Sequence, residues 1–309
     1  MISSLCTCPD KIYKYVSFVG LQKTLSNRTI RLSRPSDFND PIDMYLQDTH
    51  GMDIEPFLEG LNDHFVDFIQ GNIDHNSLRD DEHKQMIIMM NEAFKTMPDC
   101  KRQDILNELR SPDIQSMYDL PSLKKNKNEF ISHLNRHLDR NGVFCSTTDH
   151  HNLLMWAHYA DSHKGAVIEF TPNRGKDSMF LASRPVIYSS ERPLAYNTPH
   201  DMIRRGLTMA PEDSAREIVD NLVYTKSSEW SHEEEWRLVV HDVIEDGKEF
   251  VVLGYHPEEM TSVFLGCRMD ENDRYCIYRL AKLVNPKATV FVASIAPRVF
   301  SLDFAEYSE

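Results

Sequence analysis

The distribution of apolar repeats along the chain is the feature that most restricts its fold. Strand-like patterns occupy the region before residue 50 and return after residue 140. Between about 53 and 140, apolar residues instead recur with helical spacing. We therefore predict a single α+β domain over residues 1–309, with a mixed or mainly antiparallel sheet and a helical insertion at about 53–140.

Individual helices and strands are predicted from local apolar periodicity and from capping and breaking residues. Ser17 is expected to cap a helix that runs to Leu25. Further helices are predicted at 153–159, 199–224 and 270–283. Strands are predicted at 12–15, 29–33, 142–146, 165–170, 186–188, 236–240, 250–253, 262–266 and 290–292.

The helical region contains a methionine-rich stretch from Met86 to Met97. Met86, Ile87, Met90 and Phe94 follow helical spacing, which favours a helix packed into a core. The alternative is an adaptable surface for a partner, since methionine is flexible and polarisable.

Composition limits the class of protein. The net charge of -14 argues against broad, non-specific binding to nucleic acid, which requires a basic surface. No apolar run approaches the 18 or so residues of a membrane span, and the N-terminus lacks a secretory pattern. Six cysteines are too few for a disulfide framework, and their spacing does not suit zinc. We expect a cytoplasmic protein without a membrane partner.

A charged segment at residues 230–237 leads into the apolar run 238–240. Because neighbouring strand residues point to opposite faces, Glu233, Glu235 and Arg237 are predicted to share one face. These groups form either a solvated ion pair on the surface or a fixed pair of carboxylates at an active site.

The opposite face of that strand is expected to pack in the core. Trp236 lies on this face together with Leu238 and Val240. If the indole ring fills the core, Trp236→Ala should cost about 3 kcal/mol or more.

Two other segments combine aromatic and polar residues beside predicted strands. They comprise residues 13–17 with 34–41, and residues 144–148 with 155–159. This composition is typical of pocket walls, so we predict that both segments meet residues 233–237 around one pocket.

Each of these residues also has a structural interpretation. Asn39 begins an Asn-Asp-Pro sequence that suits a turn. Trp156 and Tyr159 fit either the core or a pocket wall, and His158 fits a hydrogen-bonded structural role. His150, His151, His158 and His163 do not provide the pair four residues apart that a zinc-binding helix uses.

Three sequence blocks together resemble the prokaryotic family of domain of unknown function 2971. They are residues 13–15 with 38–41, residues 155–159 with Lys164-Gly165, and residues 233–237; Phe264-Leu265-Gly266 fits the C-terminal strand of that family. The family has no settled activity, so this resemblance implies no reaction.

The chain also resembles ADP-ribosyltransferases, which have a split β-sandwich that binds NAD through three short strand motifs. Residues 15–17 match the first motif, with Tyr15 where histidine is usual and Ser17 as the hydroxyl. Residues 144–148 match the second motif, and the Glu233-Glu234-Glu235 sequence matches the third. The resemblance implies NAD as substrate, cleavage of its nicotinamide–ribose bond, and a role as a toxin or phage-defence effector.

The resemblance also implies roles for individual residues. Glu235 would stabilise an oxocarbenium-like transition state, and Glu233 would orient or deprotonate an acceptor on a protein or nucleic acid. Tyr15 would support the adenosine ribose, and Ser146 would position the nicotinamide-ribose end. The remaining predicted NAD contacts are Ser17, Arg34, Asn39, Trp156, Tyr159 and Arg237, with Arg34 or Arg237 on the pyrophosphate.

Two other functional classes stay open at this point. Asp40, Asp43, Glu233 and Glu235 could gather Mg²⁺ in a metal-dependent nuclease or hydrolase. The other class is a non-catalytic sensor or interaction module that uses the helices of residues 50–140.

Overall fold

The computed structural model describes residues 8–46, 54–72, 78, 80–111, 120–196 and 198–308. Contacts divide the chain into two units. The first contains residues 1–43, 139–192 and 224–309, and the second contains residues 44–138 and 193–223. No helix among the described residues is long and apolar enough to cross a membrane.

The chain alternates between a strand-rich unit and a helical unit. The strands are β1 (Ile12–Val16), β2 (Thr29–Ser33), β3 (Gly142–Thr147), β4 (Ala166–Phe170), β5 (Arg184–Pro185), β6 (Ile187–Ser189), β7 (Thr225–Ser227), β8 (Glu235–Val240), β9 (Phe250–Gly254), β10 (Met260–Leu265), β11 (Thr289–Ile295) and β12 (Leu302–Glu306). The α-helices are α1 (Phe18–Asn27), α2 (Ile54–Gln70), α3 (Asp81–Thr96), α4 (Asp99–Leu109), α5 (Leu120–Asp139), α6 (Leu153–Tyr159), α7 (Pro199–Thr208), α8 (Pro211–Val223) and α9 (Glu271–Val284).

The strand-rich unit is built on a mixed, mostly antiparallel sheet. Its main path is β12-β11-β10-β4-β1-β3-β2-β9, and β8 pairs with β3 and β5. The β10–β11 pair is parallel, as is the separate β6–β7 pair. The predicted α+β class with a mainly antiparallel sheet is confirmed.

Pairing in this sheet is uneven around β3. On one side, β3 pairs with β8 at every position from Gly142 to Thr147. On the other side, Thr147 pairs with Tyr13 of β1, and Val143 pairs with Ser33 of β2. Strands β1 and β3 therefore separate beyond Tyr13, and this separation opens the sheet where the candidate site lies.

The sheet buries apolar side chains on both faces. Ile12 of β1 belongs to a cluster that also contains Leu21 and Leu25 of α1. Tyr13 and Tyr15 point to the opposite face and pack with Trp156 of α6. This alternation follows from the two-residue period of a strand. Ser17 caps α1, because its side chain accepts a hydrogen bond from Gly20 N.

The helical unit contains α2 to α4, α7, α8 and most of α5. Its packing includes a cluster of Val66, Phe94 and Leu106. The helices predicted within residues 53–140 are confirmed, with four of them in the described parts of that region. Contacts also assign residues 193–223 to this unit, a grouping that local periodicity did not indicate.

Several predicted elements need correction. The helix expected over 199–224 is two helices, since Pro211 begins the second and α7 ends at Thr208. Strands β5, β7 and β12 were not predicted. The helix-core interpretation of the methionine stretch holds for Ile87 and Phe94 but is wrong for Met86 and Met90, which are exposed.

The predicted faces of β8 also need correction. The strand begins at Glu235, and Glu233 ends the preceding 3-10 helix Ser228–Glu233. Trp236 is only half-buried, whereas Arg237 on the charged face is fully buried. The expectation that the indole fills the core is therefore wrong, whereas Leu238 on the same face is buried in the core as predicted.

Candidate functional site

A pocket of about 300 Å³ lies where β1 and β3 separate. It is lined by Tyr13, Lys14, Tyr15, Arg31, Ser33, Asp37, Phe38, Asn39, Val143, Cys145, Ser146, Thr147, Met155, Tyr159, Lys226, Glu233 and Glu235. All three segments that the sequence singled out contribute to this wall. The predicted convergence on one pocket is thus confirmed.

Glu235 and Arg237 form a buried ion pair at the base of the pocket. Arg237 Nε lies 2.8 Å from Glu235 Oε1, and Nη2 lies 3.2 Å from Oε2. The pair is held in place by full pairing of β8 with β3, which puts Cys145 opposite Arg237. The guanidinium is fixed as the sequence predicted, but it lies beneath the pocket and does not line it.

Asp43 supplies a second carboxylate to the same guanidinium. Its Oδ2 accepts a hydrogen bond from Arg237 Nη2, and Oδ1 has no hydrogen-bond partner among the described residues. Burial raises the pKa of Asp43, although Arg237 opposes that change. Asp43 is thus part of the charged cluster that supports the pocket.

Lys226 is a central residue of this site that the sequence analysis missed, and Arg31 in the pocket wall is another. Lys226 Nζ lies 2.5 Å from Glu233 Oε2, 2.9 Å from Glu235 Oε2 and 3.7 Å from Asp43 Oδ2. Only 8% of the residue is exposed. Burial alone would lower the pKa of Lys226, but Glu235, Glu233 and Asp43 raise it above its ordinary value, so the ammonium stays charged.

The two cations determine the ionisation of Glu235. Burial acts to raise the pKa of this carboxyl, but Arg237 and Lys226 outweigh it and hold the pKa well below the usual range. Glu235 is consequently a permanent anion whose direction is set by two hydrogen-bond donors. This suits electrostatic stabilisation and excludes Glu235 as a proton donor.

Glu233 reaches the pocket through a turn, not through strand alternation. Glu234 adopts a left-handed conformation with φ of 45°, and its side chain accepts a hydrogen bond from Thr148 Oγ1. This turn lets Glu233 and Glu235 both approach Lys226. Glu233 Oε1 also accepts a hydrogen bond of 2.6 Å from the Tyr159 hydroxyl.

Tyr159 and Asn39 complete the wall next to Glu233. Asn39 Nδ2 donates to the Tyr159 oxygen at 3.1 Å. Burial and the hydrogen bond to Glu233 raise the pKa of Tyr159 above its ordinary value, so the phenol stays protonated. Of the two alternatives for Tyr159, the pocket wall is the correct one.

Tyr15 and Ser146 also line the pocket, with their hydroxyls engaged by backbone groups. Tyr15 donates to the carbonyl of Asp149 at 3.1 Å. Ser146 donates to the carbonyl of Trp236 at 3.2 Å. These bonds fix both side chains, so Tyr15 presents its ring to the pocket.

Besides Arg237, three predicted contact residues do not line the pocket. Ser17 caps α1, and Arg34 pairs with Asp139 at 3.5 Å. Trp156 is fully buried and donates from Nε1 to the carbonyl of His150 at 2.8 Å. The structure does not bring these three side chains to the pocket, and Trp156 takes the core position of its two alternatives.

Comparison with known proteins supports the first resemblance for part of the chain. Residues 155–238 are similar to the family described as protein of unknown function (DUF2971). This segment includes Tyr159, Lys226, Glu233 and Glu235. No curated protein and no solved structure matches the chain.

Proposed function

We propose that the chain is an enzyme that cleaves NAD at the nicotinamide–ribose bond, with the nicotinamide end bound between β1 and β3. The observation that carries this proposal is the convergence of three separated segments on one pocket whose wall includes an ionised glutamate. A pocket of about 300 Å³ fits a nucleoside-sized portion of a ligand. We also propose that the sheet of this chain corresponds to the split β-sandwich of ADP-ribosyltransferases.

Glu235 would stabilise the charge that develops on the ribose. Departure of nicotinamide leaves an oxocarbenium-like centre, which a fixed anion stabilises without reorganisation. The surrounding cluster combines three carboxylates (Asp43, Glu233 and Glu235) with two cations (Lys226 and Arg237), so its formal charge is -1 when all are ionised. The net field therefore still favours a cation.

Glu233 would act by orientation more than by proton removal. Its Oε2 already accepts a hydrogen bond of 2.5 Å from the ammonium of Lys226. Its other oxygen holds Tyr159, which places a polar edge beside the reacting carbon. Water, or an acceptor on a protein or nucleic acid, would then capture the ribosyl group.

The proposed contacts with the rest of NAD are assigned to side chains that line the pocket. Arg34 is engaged by Asp139, so we assign the pyrophosphate to Arg31, an exposed guanidinium in the wall. The rings of Tyr15 and Phe38 would stack against the ligand. In a host cell, NAD loss would make such an enzyme a toxin or phage-defence effector.

The metal-dependent nuclease fits this geometry less well. The ammonium of Lys226 occupies the position between Glu233, Glu235 and Asp43 where a divalent ion would be needed. Asp40 instead accepts a hydrogen bond from Ile42 N within its own turn. Among the described residues, no group of three or more histidine, cysteine or acidic side chains is arranged to hold a metal.

Release of nicotinamide from NAD, measured by chromatography with the purified protein, tests the proposal. We expect turnover by the wild type and a loss of about 10²-fold or more in Glu235→Gln, because the charge opposite the oxocarbenium ion is removed. Tyr159→Phe should lose less activity, since the ring stays. Glu306→Gln, an exposed glutamate of β12, serves as the matched control and should keep full activity.

Folding must be checked in parallel, because Glu235→Gln leaves Arg237 with less compensation. Circular dichroism and NAD binding by calorimetry separate a folded, inactive variant from an unfolded one. If the wild type binds NAD but releases no nicotinamide, the protein is a non-catalytic sensor and not an enzyme. A wild type that neither binds nor consumes NAD would exclude the NAD-cleaving enzyme and favour the nuclease or a sensor of another ligand.

A further inference from the structure

Helix α5 in the helical unit presents two histidines four residues apart. His133 Nε2 and His137 Nε2 face one another at 2.9 Å, and the ring centroids are 4.4 Å apart. Both residues are exposed to solvent. Residues four apart lie on the same helix face, so the helix itself holds the two imidazoles together.

We propose that His133 and His137 form a two-histidine site for a divalent transition metal of the Cu²⁺ or Ni²⁺ class. Imidazole nitrogens bind such ions at about 2.0–2.1 Å. Two ligands at a right angle are then about 2.9 Å apart, whereas tetrahedral ligands are about 3.4 Å apart. The observed separation of 2.9 Å is that of a hydrogen bond between the rings, and it already equals the ligand spacing of square-planar or tetragonal coordination.

Metal binding requires the proton between the two histidines to move, and the pair itself can accommodate it. Without metal, one Nε2–H donates to the other Nε2. On binding, that proton moves to Nδ1 of the same ring by tautomerisation, and both Nε2 lone pairs coordinate the ion. Water completes the coordination, since no third histidine, cysteine or carboxylate among the described residues joins the pair in a metal-holding group.

Two charged side chains near the pair are engaged with other groups. Glu129, one turn before His133, is paired with Lys125 at 3.7 Å. Arg136 directs Nε to the carbonyl of Ser132 at 3.4 Å, back along its own helix. The inference concerns the helical unit and is independent of the proposed NAD chemistry.

Calorimetric titration of the untagged, full-length protein with NiCl₂ and CuCl₂ tests the site. We expect His133→Ala and His137→Ala each to lose one equivalent of bound metal, or to weaken it by about tenfold or more, because a direct ligand is removed. His158→Ala is the matched control: it removes one exposed histidine from helix α6 and should leave the stoichiometry unchanged.

A second measurement distinguishes loss of ligand from loss of fold. NiCl₂ should raise the thermal unfolding temperature of the wild type and of His158→Ala, since ligand binding stabilises the native state. Neither His133→Ala nor His137→Ala should show this increase, while their circular dichroism matches the wild type. Equal stoichiometry and equal stabilisation in all four proteins would overturn the proposal.

Discussion

Arg237 is the residue on which the charged cluster of the site depends most. Its guanidinium is fully buried and binds both Glu235 and Asp43. A buried charge is tolerated only when it is paired, so removal of one partner leaves the others uncompensated. The half-buried Trp236 beside it carries no such penalty.

We predict that Arg237→Met lowers the free energy of unfolding by about 3–5 kcal/mol, because two carboxylates stay buried with only Lys226 near them. Chemical denaturation at pH 7 measures this change. Arg298→Met, at an exposed arginine, should have almost no effect. An Arg237→Met variant as stable as the wild type would show that the cluster is not required for folding.

His150 is a titratable residue held in an aromatic environment. Its ring stacks on Tyr13 at 4.7 Å and lies 4.5 Å from the ring of Phe264. Burial, with a contribution from the neighbouring His151, lowers the pKa of His150 to about 4. The folded state therefore prefers the neutral imidazole.

This shift predicts a loss of stability in mild acid. The unfolded chain takes up a proton below its pKa of about 6.5, whereas folded His150 does so only near 4. Stability is thus complete above about pH 6.5 and falls as the pH drops towards 4. Since the ring is partly exposed, we expect a loss of about 1–2 kcal/mol.

Denaturant unfolding at pH 7.5 and pH 5 provides the measurement. His150→Phe keeps an aromatic ring without the proton, so its stability should change less between the two values. A smaller dependence will remain, because burial also lowers the pKa of His163. If His150→Phe and the wild type respond identically to acid, the assigned cause is wrong.

At the scale of elements, a close backbone approach joins the ends of β1, β4 and β10. A Cβ at Gly165 would lie 2.1 Å from the carbonyl oxygen of Val16, and Gly266 N donates to Gly165 O at 2.9 Å. A side chain there must displace backbone, not a flexible neighbour. The absence of a side chain at Gly165 therefore allows the end of β1 and the start of β4 to pair closely.

Gly165→Ala should consequently destabilise the protein by about 2 kcal/mol or more. Gly206 provides the opposite case, since it lies in helix α7 and, apart from its chain neighbours and its own helix backbone, no described atom lies within 4 Å of its added Cβ. Gly206→Ala is expected to stabilise by about 0.5–1 kcal/mol through helix propensity. Thermal unfolding of both variants gives the comparison, and a stabilising Gly165→Ala would contradict the close approach.

At the scale of the whole molecule, acidic residues dominate the charge. Lysine and arginine total 34 against 48 for aspartate and glutamate, which gives -14. Such a surface repels the phosphate backbone of nucleic acids. Part of the limited positive charge is also enclosed, as in Lys226 and Arg237.

We therefore expect no detectable binding of random-sequence duplex DNA at physiological salt with the protein at about 0.1 mM. The dissociation constant would then be above the range that is typical of non-specific binding. Fluorescence anisotropy with a labelled duplex measures this, with a basic DNA-binding protein as positive control. Binding that weakens steeply with salt, together with Mg²⁺-dependent cleavage, would favour the nuclease.

Local sequence determined most of the elements and the choice of segments at the site. Strand alternation, helical spacing and capping residues such as Ser17 act over short distances, so β2, α6 and the cap of α1 follow from them. The aromatic and acidic segments that contain Tyr15, Ser146 and Glu235 were identified in the same way.

Only the tertiary structure decided which charges meet. Lys226 follows helix α8 and has no local pattern, yet it binds Glu233 and Glu235 because β7, the 3-10 turn and β8 bring them together. Likewise, Arg34 and Trp156 are directed away from the pocket by Asp139 and His150. Pairing between segments far apart in the sequence determines these contacts. Local periodicity does not show which distant segments pair.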